Sequence, residues 1–386
     1  MKQIIKVMIL AALFTALGLP VFAGAKADTG DVIKIGVFEP MTGANAAGGA
    51  MEVEGIRLAN ELNPTVTVGG KTYKVELVVA DNKSDKVEAA TAVQSLIDRD
   101  KVRLILGSWG SSLSMAGGEV AKEARIPVIG LSCTNPLVTA GNDYYFRVCF
   151  IDPFQGTVMA NYAYNDLKAK TAVIVQEVSN DYSVGLAKFF SDNFKKLTGN
   201  NDSILTTVNY NTGDQDFSAQ LTTIRSLNPD VIFAPGNYTE SALVMKQARE
   251  LGINVPIIGG DTWETPEFID VGRERVEGAV FSTFFASEVA ATPAADTFIK
   301  EYRSRYNKEP AAVTALGYDG YLVALDAIKR AGSIDPLKIR DAVAATSGFI
   351  GATGTTTLDA NGDATKSAFI KAVEGGKFVY KTIVNP

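Results

Sequence analysis

The chain has 386 residues, a formal net charge of −6, no histidine and two cysteines, Cys133 and Cys149. Without histidine, Ser-His-Asp and Cys-His catalysis and His-built zinc sites are excluded, and two cysteines cannot make a four-thiolate zinc site. The acidic balance argues against nucleic acid or an anionic membrane as partner.

Lys2 and Lys6 precede an apolar stretch over residues 7–22, and Val21-Phe22-Ala23 has the small-x-Ala form that signal peptidase reads. Residues 1–23 are expected to be a cleaved secretory signal, with Ala25 and Ala27 as other cut points and an uncut anchor as the alternative. The apolar core falls short of the roughly 20 residues that span a bilayer. Cleavage after Ala23 removes two lysines and takes the charge from −6 to −8. The mature chain is then soluble and periplasmic or extracellular. There Cys133 and Cys149 could pair or stay as two buried thiols.

About 360 residues exceed one ordinary core, so two domains are expected. Short β-branched runs alternate with amphipathic stretches from residue 33 onward. Strands are predicted at 33–37, 75–79, 102–106 and 127–131, with helices at 52–62, 87–97 and 113–124 between them. The series then restarts. Helices at 154–167, 182–197, 217–227 and 241–251 alternate with strands at 171–175, 204–208, 231–234 and 256–258. A strand at 279–285 and helices at 294–306, 314–331 and 336–345 follow. The chain closes with antiparallel strands at 355–358, 368–373 and 378–383, and Asn361-Gly362 is a hairpin-type turn. The fold class is α/β, with two doubly wound parallel-sheet lobes.

Three strand-end loops carry the candidate chemistry, since ligands in open α/β sheets bind beyond the carboxyl ends of strands. In Gly107-Ser108-Trp109-Gly110-Ser111-Ser112, Ser111 or Ser112 reads as a helix N-cap, and the free N–H groups behind it suit a carboxylate. Trp109 reads as a ligand wall. In Leu131-Ser132-Cys133-Thr134-Asn135-Pro136, the hydroxyls of Ser132 and Thr134 can join Ser111. In Gly259-Gly260-Asp261-Thr262-Trp263, Asp261 can pair with an ammonium or cap the next short helix. Tyr182, Asn237 and Tyr238 occupy equivalent turns. Gly69-Gly70-Lys71-Thr72 resembles the tail of a phosphate loop, but position 65 is Thr and a strand follows, so it reads as a β-turn.

These motifs in this order resemble the leucine/isoleucine/valine-binding protein family of bacterial ABC importers, the type I periplasmic binding fold. Further anchors are Ile35-Gly36-Val37 through Pro40-Met41-Thr42-Gly43, Phe146-Arg147, Asp152-Pro153-Phe154-Gln155-Gly156 and Asp181-Tyr182-Ser183-Val184-Gly185. The resemblance implies three crossing segments, near residues 150–153, 284–287 and 349–351. The lobes would then be 31–150 plus 286–349 and 151–285 plus 350–386. It implies an amino-acid ligand whose carboxylate meets Ser111, Ser132 and Thr134. Its ammonium would meet Asp261, with Tyr182 and Asn237 or Tyr238 beside it. It also implies no cofactor, no metal, no catalysis, a monomer, and a membrane permease as partner. Two departures bear on the side-chain pocket. Gly48-Gly49 replaces a family Tyr, and Trp109 and Trp263 add indoles. An aromatic amino acid or an amine-free carboxylate is therefore an alternative ligand, and sensing is an alternative to transport.

Overall fold

The computed structural model describes residues 31–386 apart from Ala291; the expected signal segment lies outside the described residues. The first lobe is built on β1 (Val32–Glu39), α1 (Ala46–Leu62), β2 (Thr65–Val68), β3 (Lys71–Asp81), α2 (Lys86–Asp98), β4 (Leu104–Leu106), α3 (Ser111–Glu123), β5 (Val128–Gly130) and β6 (Tyr145–Arg147). Its six strands lie in the order β2-β3-β1-β4-β5-β6. All neighbours are parallel except β2, which turns back on β3 through Gly69-Gly70 as the sequence predicts. The strand β6 carries no apolar run long enough to announce itself.

The second lobe contains α4 (Asp152–Asn161), β7 (Ala172–Glu177), α5 (Asp181–Thr198), β8 (Ile204–Tyr210), α6 (Ser218–Leu227), β9 (Val231–Phe233), α7 (Tyr238–Glu250), β10 (Ile257–Gly259), α8 (Pro266–Gly272) and β11 (Val280–Thr283). The chain continues through α9 (Pro293–Tyr306), α10 (Ala312–Ala331), α11 (Pro336–Ala344), β12 (Phe349–Gly351), β13 (Gly354–Thr356), β14 (Ala368–Glu374) and β15 (Lys377–Val384). The second sheet runs β15-β14-β11-β10-β9-β7-β8, parallel from β11 to β8 and antiparallel at its β14–β15 edge. The central strands β4, β5, β9 and β10 are buried along their whole length, which is why they read as continuous apolar runs.

Local signals set the ends of helices. Asp85 caps α2 by accepting from the N–H groups of Val87 at 2.8 Å and Glu88 at 3.0 Å. Asn228 ends α6 in a left-handed conformation, φ 46°, before Pro229. The predicted helix over 154–167 is two pieces, because α4 passes into a π-helical turn at Tyr162–Asp166.

The chain crosses between the lobes three times. Phe150 and Phe284, on the first two crossings, pack with ring centroids 4.4 Å apart and planes tilted by 34°. The third crossing corrects the expectation. Residues 349–351 pair with β13 in a two-stranded sheet, and Asp319 of α10 accepts from the N–H groups of Ala352 and Thr353. The chain then stays beside β6, where Arg147 N–H donates to the Gly362 carbonyl and the Arg147 guanidinium holds Asp363. It therefore crosses at residues 364–367. The strand β13 pairs with β12 rather than with the two C-terminal strands, because Asp319 anchors the β12–β13 turn on the first lobe.

Candidate functional site

In each sheet the strand order reverses direction, between β1 and β4 in the first and between β7 and β9 in the second. Loops leaving the carboxyl ends of these strands diverge and open a crevice. The two crevices face each other. Between them lies a cavity of about 90 Å³ lined by both lobes.

The first wall is the start of α3. Ser114 N–H makes the first helical bond, to the Gly110 carbonyl at 3.0 Å. Gly110, Ser111, Ser112 and Leu113 line the cavity ahead of it, so the first turn presents its donors and the positive end of the helix dipole there. Neither serine caps the helix; Gly110 takes that position. Ser111 Oγ instead accepts from Asn135 N–H at 3.1 Å, and Ser112 Oγ donates to Asp181 Oδ2 at 2.7 Å.

The second wall carries Asp261, which is 2% exposed. Its Oδ1 accepts from Gln155 Nε2 at 2.6 Å and the Tyr182 hydroxyl at 2.8 Å. Burial pushes the carboxyl up to about 6, and the Gln155 and Tyr182 hydrogen bonds hold it from rising further. No lysine or arginine pairs with Asp261 among the described ion pairs. It does not cap α8; Thr265 does, accepting from Phe268 N–H at 3.2 Å. A buried carboxylate without a cation is costly, and its natural complement is a positive group in the cavity.

Of the eight residues singled out in the sequence, Trp109, Ser111, Ser132, Tyr182, Asn237 and Asp261 line this cavity. Thr134 and Tyr238 do not. The Thr134 hydroxyl is buried beside the Asp152 carboxyl. The Tyr238 hydroxyl reaches the other lobe, donating to the Ala44 carbonyl at 2.8 Å and accepting from Ala47 N–H at 3.3 Å. Trp109 lines the cavity but is 2% exposed, so it is a packed wall and not the exposed aromatic the loop suggested. Its indole lies over Gly48, where a Cβ would occupy the ring's own space. Trp263 is fully buried, stacked on Phe268 at 4.8 Å, and takes no part in the cavity.

Of the residues that join the lobes, sequence reasoning singled out Asn237 and Tyr238 but gave no bridging role to Lys86, Asn135 or Asp181. Asp181 faces Ser112, and Lys86 Nζ lies 2.9 Å from the same carboxylate. Asn135 Nδ2 donates to the Asp181 carbonyl at 2.7 Å, and Asn237 Nδ2 donates to Asn45 Oδ1 at 3.0 Å. The two lobes are thus closed on each other. Gln155 was visible only as part of a motif; its partner Asp261 is 106 residues away. Cys133 and Cys149 are buried free thiols, and the Cys149 thiol donates to the Cys133 carbonyl at 3.7 Å.

The family profile described as periplasmic binding protein matches residues 32–377. A leucine-binding protein from Thermotoga maritima superposes with a TM-score of 0.88 at 46% identity, over 92% of this chain and 99% of that one. A branched-chain amino acid transporter substrate-binding protein from Streptococcus pneumoniae, solved with isoleucine, gives a TM-score of 0.85 at 34% identity, over 92% and 100%. An amino acid binding protein from Pseudomonas aeruginosa is 30% identical over 87% of each chain.

Proposed function

The chain belongs to the periplasmic binding protein family, and on that premise we propose that it captures a small apolar amino acid outside the cytoplasm for an ABC importer. The observation that carries this reading is the opposition across one small cavity of an uncapped helix N-terminus and an unpaired buried carboxyl, Asp261. A ligand bearing a carboxylate at one end and an ammonium at the other complements both. The isoleucine held by the Streptococcus pneumoniae relative is such a molecule.

Ligand docks first on α3 and the Ser132 loop. Closure then brings Tyr182 and Asp261 over it and engages the Asp181, Asn237 and Tyr238 bridges. Because Asp261 meets the ammonium only when the lobes are closed, the ligand has higher affinity for that state and shifts the equilibrium toward it. The closed face is then presented to the permease. The fully packed Trp263 gives no support to an aromatic side chain, and the small cavity favours an aliphatic one.

Titration calorimetry with leucine, isoleucine, valine, phenylalanine and their 2-oxo acid analogues tests this reading. The expected result is binding of the aliphatic amino acids and a loss of about 100-fold or more in Asp261→Asn. Equal binding of the 2-oxo acids, or unchanged affinity in Asp261→Asn, would overturn the ammonium role.

A further inference from the structure

A second carboxylate stands at the switch point of the second sheet. Glu177 is the last residue of β7, the strand between β8 and β9, and it is fully buried in the cavity wall. Its Oε1 accepts from the Thr212 hydroxyl at 2.5 Å. Its Oε2 accepts from Asn180 Nδ2 and from Asn237 N–H, each at 3.1 Å. The three donors come from three different loops, those leaving β7, β8 and β9. No lysine or arginine pairs with Glu177 among the described ion pairs. A buried carboxylate without a cation depends on its hydrogen-bond donors, so any loop that moves away leaves an acceptor unsatisfied.

Two of those loops carry the bridges to the other lobe. Asn180 Oδ1 accepts from Tyr182 N–H at 3.1 Å and so caps α5, whose first turn holds Asp181. Asp181 meets Ser112 and Lys86. Asn237 precedes α7 and meets Asn45, and the next residue, Tyr238, meets Ala44. Asp181 and Asn237 make no hydrogen bond to each other among the described residues. Glu177 is what their loops share.

Resting on the hinged closure set out above, we propose that Glu177 is a positioning residue that orders both bridging loops on one carboxylate before the lobes meet. Asp181 and Asn237 are then held in register with their partners on the first lobe, and less loop ordering opposes closure. Glu177 acts through the two bridges and not through the ligand.

Double-mutant cycles read by leucine calorimetry test this. Glu177→Ala is expected to weaken leucine about 10-fold. Asp181→Ala and Asn237→Ala should each cost about three- to tenfold in the wild-type background and less than about twofold in Glu177→Ala. Glu177→Gln should stay within about threefold of wild type, since its amide oxygen accepts from Asn180 and Asn237 and its amide nitrogen donates to Thr212. If Glu177→Ala does not fold, Asn180→Ser carries the cycle, because it keeps a capping hydroxyl on α5 and removes the donor to Glu177. Asp181→Ala should then lose most of its effect while Asn237→Ala keeps its own. Additive losses in these cycles, or a loss in Glu177→Gln matching Glu177→Ala, would overturn the inference. If leucine binds and the losses add, only this inference falls. If the wild type binds no amino acid, the ligand reading falls, and the same cycles are read in the ligand-free protein as the closed fraction, by fluorescence energy transfer between labels on the two lobes.

Discussion

The Ser112 hydroxyl of one lobe lies 2.7 Å from Asp181 Oδ2 of the other, at the mouth of the cavity, and Lys86 reaches the same carboxylate at 2.9 Å. Asp181 and Lys86 are each about half exposed, so the ion pair alone contributes little. On the proposed mechanism their value is that they bridge the two lobes and so favour the closed state. Asp181→Ala is expected to open the ligand-free protein and weaken ligand by about three- to tenfold, with the thermal midpoint nearly unchanged. Small-angle scattering with and without ligand checks this; an unchanged ligand-free radius of gyration would contradict it.

Burial pushes the Asp261 carboxyl up to about 6, above the ordinary aspartate value. Between those two values the folded protein holds a proton that the unfolded chain has released, so the stability of the ligand-free protein falls as pH rises through that window. An ammonium needs the ionised form, so amino-acid affinity falls as pH drops below about 6. Asp261→Asn should therefore raise the thermal midpoint of the ligand-free protein at neutral pH while abolishing the ligand-induced gain. A parallel loss of both would assign Asp261 a packing role.

Trp109 and Gly48 share one volume. Gly48→Ala drives a methyl into the indole and should cost about 1 to 3 kcal/mol in urea unfolding, with reduced affinity. Trp109→Ala should enlarge the cavity and shift preference toward phenylalanine over valine. An unaltered ranking of amino acids in Trp109→Ala would remove Trp109 from side-chain selection.

Arg147 is fully buried and donates to Asp363 at 2.6 Å, to the Cys133 and Asn135 carbonyls at 2.6 and 2.9 Å, and to Thr139 at 2.7 Å. It ties the Ser132–Asn135 loop to the third crossing. Arg147→Met leaves Asp363 buried without its cation and should cost about 3 to 5 kcal/mol. Arg147→Lys should recover only part, since an ammonium cannot span the fork. A loss under about 1 kcal/mol in Arg147→Met would show that water takes over these acceptors.

The two lobes, their parallel sheets and most helix limits were legible because each rests on local periodicity and caps: Asp85 before α2, Asn228-Pro229 after α6. Strand-end position together with the family resemblance nominated Ser111, Ser132, Tyr182 and Asp261. The misplaced third crossing and the exclusion of Thr134, Tyr238 and Trp263 from the cavity have another origin. Which way a loop side chain turns depends on partners that periodicity does not report, such as Ala44 for Tyr238 and Phe268 for Trp263. The sequence by itself determined the fold, the absence of histidine chemistry and the loops that form the site. Only the tertiary structure decided which groups are buried without a counter-charge, because desolvation and pairing arise where β1, α1, α3 and the second lobe converge. Asp261 acquires its chemistry from that convergence and not from its place in the chain.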